Sequence, residues 1–168
     1  LAILRRNKRI FLHDEVLFGT EDGIDISIRE IMQQHPDSYV IGVLHTHTPP
    51  KEILVVSPNI RKKYLETLYL PSVGDLEVCA ELIIGLEAVG VSYDVMIITV
   101  ANKRSSVAYA RYDIFNAREF LKSYWATINR FPKVFSLNEE YKNLLSMSDE
   151  VLGLFKRFGG QIYEVPLR

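Results

Sequence analysis

Apolar residues in this chain fall into short stretches whose spacing shifts between a period of two and one of about 3.6, the signature of mixed strands and helices. Leu1-Ala2-Ile3-Leu4 reads as a strand, Arg5-Arg6-Asn7-Lys8-Arg9 as the turn after it, and residues 10–18 as a second strand interrupted by His13-Asp14-Glu15. A domain seldom begins in mid-strand, so the opening apolar run implies that sequence precedes Leu1. Glycines and acids make 19–25 a loop. Ser27-Ile28-Arg29-Glu30 is a capping box that opens a short helix, and Pro36 stops it. Tyr39-Val40-Ile41-Gly42-Val43-Leu44 is continuously apolar and predicts a buried strand.

Beyond residue 50 the helical spacing takes over. Ile53-Leu54-Val55-Val56 is a short apolar run, and Ser57-Pro58 supplies a cap followed by proline at the first helical position. Residues 59–69 then carry Ile60, Tyr64, Leu65 and Leu68 on one face. A helix over 76–89 would bury Leu76, Cys79, Ala80, Ile83 and Ile84, turn Glu77, Glu81 and Glu87 outward, and end at Gly90. Residues 94–100 predict a central strand, Asn102-Lys103 a turn, and 107–112 its hairpin partner. Asn116 caps a helix to about Asn129, with Phe120, Leu121, Tyr124, Trp125 and Ile128 as its stripe. Ser136 caps another, which residues 148–158 extend or follow; Gly159-Gly160 ends it, and 161–167 returns as an edge strand. The expected fold class is α/β, in one domain over 1–168, with a segment at 51–70 and a helical extension at 116–168.

Bulk properties narrow the function classes without choosing one. Of 168 residues, 48% are apolar and 24% charged, ordinary values for a globular domain. A net charge of −1 gives no general attraction to nucleic acid or membrane. A single cysteine excludes an internal disulfide and fits a reducing, cytoplasmic setting. No signal peptide and no apolar run long enough to span a bilayer is visible.

The chemistry concentrates in two places. His45 and His47 close the buried strand two residues apart, so both side chains point to one face while Thr46 points away. Asp75, in Ser72-Val73-Gly74-Asp75, can add a carboxylate from another element. Two imidazoles, one carboxylate and an open fourth position make a catalytic zinc site, whereas a closed structural site would want a fourth protein ligand, usually cysteine. Each half has a plainer reading: the histidine pair as packing, the serine and aspartate as a helix cap.

Taken together and in this order, His45-Thr46-His47-Thr48-Pro49 and Ser72-x-x-Asp75 resemble the signature of the JAMM (MPN+) metallopeptidases, H-[ST]-H-x-P followed by S-x-x-D. The helix, strand and H-x-H order matches as well, and the resemblance is close from Ile26 to Val89. The spacer from His47 to Ser72 is longer than that family's, which makes 51–70 an insertion: either a lid or substrate-selecting wall, or a decoration packed on the body. The resemblance implies a JAMM/MPN-like mixed sheet flanked by helices in a cytidine-deaminase-like layer arrangement. It further implies zinc held by His45, His47 and Asp75, an oxyanion donor in Ser72, and hydrolysis of peptide or isopeptide bonds, including removal of a ubiquitin-like modifier. In that family a glutamate on an early strand is the general base. Leu1-Ala2-Ile3-Leu4 holds none, so the base is expected upstream of Leu1, with Glu15 as the alternative. Two other readings stay open. One is a JAMM-like scaffold or interaction domain without activity. The other is a RadC-like domain tied to DNA metabolism, which the near-neutral charge disfavours.

Overall fold

A computed structural model describes residues 1–13 and 28–166; Glu15, the loop predicted at 19–25 and Ser27 lie outside the described residues. Among the described residues six strands form one mixed sheet: β1 (Ala2–Arg6), β2 (Arg9–Leu12), β3 (Tyr39–Thr46), β4 (Val95–Ala101), β5 (Arg104–Ala110) and β6 (Gln161–Pro166), in the order β2-β1-β3-β4-β5-β6. Only β3 and β4 run parallel; every other pairing is antiparallel. A parallel pair needs a crossover element. Here that crossover carries a 3-10 turn (Lys51–Val55) and two helices, α2 (Pro58–Thr67) and α3 (Val73–Ala88). The other helices are α1 (Ile28–Gln34), α4 (Ala117–Ile128) and α5 (Leu137–Arg157). No helix among the described residues is long and apolar enough to cross a membrane.

The core sits between the sheet and α3. Along β4, Val95, Ile97, Thr99 and Ala101 are buried while the alternate residues are half-buried, so one face of the strand carries the heavier cover. Leu76, Cys79, Ala80, Leu82, Ile83 and Leu86 of α3 meet it, and α4 and α5 add Phe120 and Phe155 behind them. The two phenylalanine rings pack nearly edge to face, with centroids 5.7 Å apart. The hairpin from β4 to β5 turns on Asn102 and Lys103, both at positive φ (51° and 61°), the two-residue geometry that follows strand twist.

The structure departs from the sequence-based expectations in several places. The helix predicted from residue 76 begins at Val73, because Ser72 is its N-cap. Glu77 does not simply face solvent; it accepts a hydrogen bond from the Tyr124 hydroxyl at 3.0 Å, tying α3 to α4. Trp125 is 49% exposed, since a stripe of five residues is wider than the face α4 buries, and only Phe120 and Tyr124 of that stripe are fully covered. Of the two courses open for the last helical region, the structure shows one helix of 21 residues, with 148–158 extending the helix that Ser136 caps. Two capping signals hold: the Asn116 side chain accepts from the Glu119 amide, and Ser136 from that of Glu139.

Residues 51–70 pack on α5. Ile53 and Val56 bury against Tyr141, whose ring meets Tyr64 of α2 edge to face at 4.8 Å. The Ser57 side chain makes no cap hydrogen bond; instead its N–H donates to Asn138 Oδ1 at 2.8 Å, so α2 begins where α5 begins.

Gly42 is the tightest point of the framework. A Cβ there would stand 2.0 Å from the Met96 carbonyl oxygen of β4. That distance cannot be relieved by turning a flexible side chain, because the obstructing atom is backbone. Gly42→Ala is expected to destabilise the protein by about 3 kcal/mol or more, at or beyond the upper end of ordinary overpacking. Denaturant unfolding checks this, and a loss below about 1 kcal/mol would mean that β3 and β4 can separate without cost.

Candidate metal centre

His45 is the penultimate residue of β3, paired with Thr99 of β4. His47 lies just past the strand, but its N–H still donates to the Val100 carbonyl at 3.0 Å, so the extended geometry continues and both imidazoles share a face. Asp75 stands in the first turn of α3, where the helix N-terminus favours negative charge. The strand end and the helix start therefore meet at one point. His45 Nε2 is 3.1 Å from Asp75 Oδ1, His47 Nε2 is 3.2 Å from Asp75 Oδ2, and the two Nε2 atoms are 2.9 Å apart.

The donor set suits a metal ion. His45, His47 and Asp75 are the group of ligating side chains among the described residues whose donor atoms all lie within 4.8 Å of one another. A tetrahedral ion with ligands at about 2.0–2.1 Å has donor-to-donor edges of about 3.3 Å, close to the spacings seen here. The His47 tautomer is fixed by its other nitrogen. Nδ1 faces the Leu68 carbonyl at 2.8 Å, and since a carbonyl only accepts, Nδ1–H donates and neutral His47 presents a lone pair at Nε2. The side chains are 11%, 21% and 15% exposed for His45, His47 and Asp75, so each keeps partial contact with solvent. That leaves room for a ligand from outside the protein.

Ser72 serves as a cap in this structure. Its Oγ accepts from the Asp75 N–H at 3.2 Å, and its own N–H donates to Asp75 Oδ2 at 2.6 Å. The capping reading and the site reading are thus one arrangement: the box that starts α3 also orients the Asp75 carboxylate toward the histidines. Cys79 stays out of the donor set. It is fully buried, and burial, aided by the Asp75 charge, pushes its thiol up to about 12.

Three further groups around the site belong to no side-chain motif. The Leu68 carbonyl is a backbone atom, which no residue pattern marks. Tyr69, next to it, is held by its carbonyl, which accepts from Ser106 Oγ at 2.7 Å. Thr99 was signalled in principle, as a polar residue at a buried position of an apolar strand. Its Oγ1 is buried beside His45 with no hydrogen-bond partner. Glu15 lies outside the described residues.

Charge and proton binding are coupled within the triad. Burial acts most strongly on His47 and lowers its pKa, but the hydrogen bond and charge of Asp75, with the Leu68 carbonyl, together raise it above the usual imidazole value. Burial likewise works against ionised Asp75, yet hydrogen bonds and charge from both histidines hold the carboxyl far below the usual range. The raised His47 pKa stabilises the fold below the unfolded value of about 6.5, and this is lost as pH rises through the folded value. The lowered Asp75 pKa stabilises it above about 3.9, and this is lost as pH falls through the folded value. In metal-free protein the pair therefore contributes most between about pH 4 and 6.5. The gap in melting temperature between wild type and Asp75→Asn, measured in chelator, is expected to be widest in that window and narrower at pH 9. A gap that widens steadily from pH 6 to pH 9 would contradict this coupling.

Comparison of the chain with known protein families, with curated proteins and with solved structures found no match, so the reading of this centre stands on its own residues.

Proposed function

We propose that the protein is a zinc-dependent hydrolase of peptide or isopeptide bonds, of the JAMM type, acting on a protein or peptide substrate such as a ubiquitin-like modifier conjugate. The observation that carries this reading is the convergence of His45, His47 and Asp75, from a strand end and a helix start, on one partly exposed point. Two nitrogens and one carboxylate with an open fourth position form the ligand set of catalytic rather than structural zinc.

His45, His47 and Asp75 would hold the ion, which supplies Lewis acidity and water of lowered pKa. The remaining tasks fall to the chain. Leu68 keeps His47 in the ligating tautomer. Ser72 Oγ accepts from the backbone, and its hydroxyl proton can donate to negative charge developing on a substrate carbonyl oxygen. A carboxylate must carry a proton from the attacking water to the leaving amine. β1 has no acid. The sequence offers a base upstream of Leu1, with Glu15 as the alternative. Asp149 of α5 is a further candidate, on a specific observation: it lines the same small cavity as His47 and Ser72.

His45→Ala is expected to abolish stoichiometric zinc after purification while the protein remains folded, as read by elemental analysis and circular dichroism. Zinc-loaded wild type is expected to cleave an isopeptide-linked fluorogenic substrate and to stop on chelation. If Glu15 or Asp149 supplies the base, Glu15→Gln or Asp149→Asn respectively is expected to lower kcat by about a hundred- to ten-thousand-fold with zinc retained, the usual worth of general acid–base help, whereas an unchanged kcat in both would favour the upstream base. Wild type and His45→Ala that are equally metal-free would instead favour the scaffold reading.

A further inference from the structure

Two elements outside the resembled core, the 51–70 segment and α5, meet beside the triad and enclose a cavity of ≈ 90 Å³. His47 and Ser72 form the part of its lining that belongs to the candidate metal centre. Its wall is mainly apolar, with Leu68 and Leu70 from the end of the 51–70 segment and Leu144, Leu145 and Leu152 from α5; Asp149 is its acidic member. The contact of Tyr64, itself part of the lining, with Tyr141 and the bond from Ser57 to Asn138 hold α2 and α5 together.

Size and chemistry define what would fit. An apolar cavity of about 150 Å³ takes benzene, so 90 Å³ is too small for an aromatic side chain and matches the liquid volume of about three waters. The five leucine side chains offer no hydrogen bonds, so an uncompensated polar group loses free energy against them, and Asp149 further disfavours an acidic group. A short branched aliphatic group satisfies both limits. By contrast, a larger open groove of ≈ 480 Å³ on another side of α2 includes no triad residue. Two of its cations are already engaged, Lys62 with Glu66 and Arg104 with Glu164.

We propose that this cavity is a substrate subsite, taking a small aliphatic side chain of about the size of valine or leucine next to the scissile amide. The proposal rests on the zinc hydrolase reading and adds the side-chain class of its substrate. It also gives the insertion and the C-terminal helix a joint role that neither could perform alone.

The test uses hydroxamates, which bind zinc through one end and present a chosen side chain at the other. Binding of acetohydroxamate, isovalerohydroxamate and phenylacetohydroxamate to zinc-loaded protein is measured by calorimetry. The isovaleryl compound is expected to bind about tenfold or more tighter than acetohydroxamate, in line with the worth of added methylenes in a hydrophobic pocket. The phenyl compound is expected to bind no tighter than acetohydroxamate. Leu145→Phe, which fills the cavity, should erase the isovaleryl preference, and Leu145→Ala, which enlarges it, should admit the phenyl compound, with zinc content unchanged in both. Equal binding of all three compounds to wild type, or an isovaleryl preference that survives Leu145→Phe in folded, zinc-loaded protein, would overturn the proposal. Absence of stoichiometric zinc, or of any hydroxamate binding, would overturn the hydrolase reading beneath it and the subsite with it. Should Leu145→Phe fail to fold, the wild-type series and Leu145→Ala decide the matter by themselves.

Discussion

The carboxylate of Asp75 joins the two halves of the structure. Its Oδ2 accepts the Ser72 amide and lies beside His47, while Oδ1 reaches His45. One side chain thereby caps α3, fixes where that helix meets the sheet and gathers both histidines. Burial alone would favour a neutral carboxyl, but the two imidazoles reverse that preference. Loss of the histidines would leave the Asp75 carboxylate partly removed from water without its partners, which is costly. A metal ion satisfies the same three groups without any shared proton, because ligation needs neutral histidine and ionised aspartate.

Around that junction the chain builds outward in layers of decreasing generality. β3, α3 and β4 form a parallel unit whose close approach requires Gly42. The 51–70 segment then reaches the site twice, through the Leu68 carbonyl on His47 and through the residues it shares with the cavity wall. This segment is therefore more than a cover laid over a finished centre, since its last residues orient a proposed ligand. α5 enters last, from the far end of the chain, and contacts both α2 and β6.

Local chemistry was legible in the sequence where a single element carried it. The pair at His45 and His47 followed from strand geometry, and Ser72 with Asp75 from helix capping, so the donor set could be named from residues alone. Asn116, Ser136, Gly90 and Gly159 marked helix ends for the same reason: capping depends on residues within one turn. What failed depended on partners distant in sequence. Ser57 looked like a side-chain cap, yet Asn138, 81 residues away, accepts from its backbone. Trp125 fell in the periodic stripe of α4, but how wide a stripe is buried depends on what α3 and α5 present to it. Whether residues 148–158 extend or follow the helix capped by Ser136 stayed open in the sequence; the buried positions Tyr141, Val151, Leu154 and Phe155 run through one helix, so they extend it. The Leu68 carbonyl had no signal at all, since any residue at that position supplies the same atom.

The central claim is that His45, His47 and Asp75 act as one zinc-binding unit. X-ray absorption at the zinc edge, on protein loaded with one equivalent, tests it most directly. The account predicts imidazole scattering from two histidines, nitrogen and oxygen neighbours at about 2.0–2.1 Å, and loss of that spectrum in His45→Ala. A sulfur neighbour at about 2.3 Å, which would bring Cys79 into the ligand set, or a spectrum unchanged by His45→Ala, would contradict it.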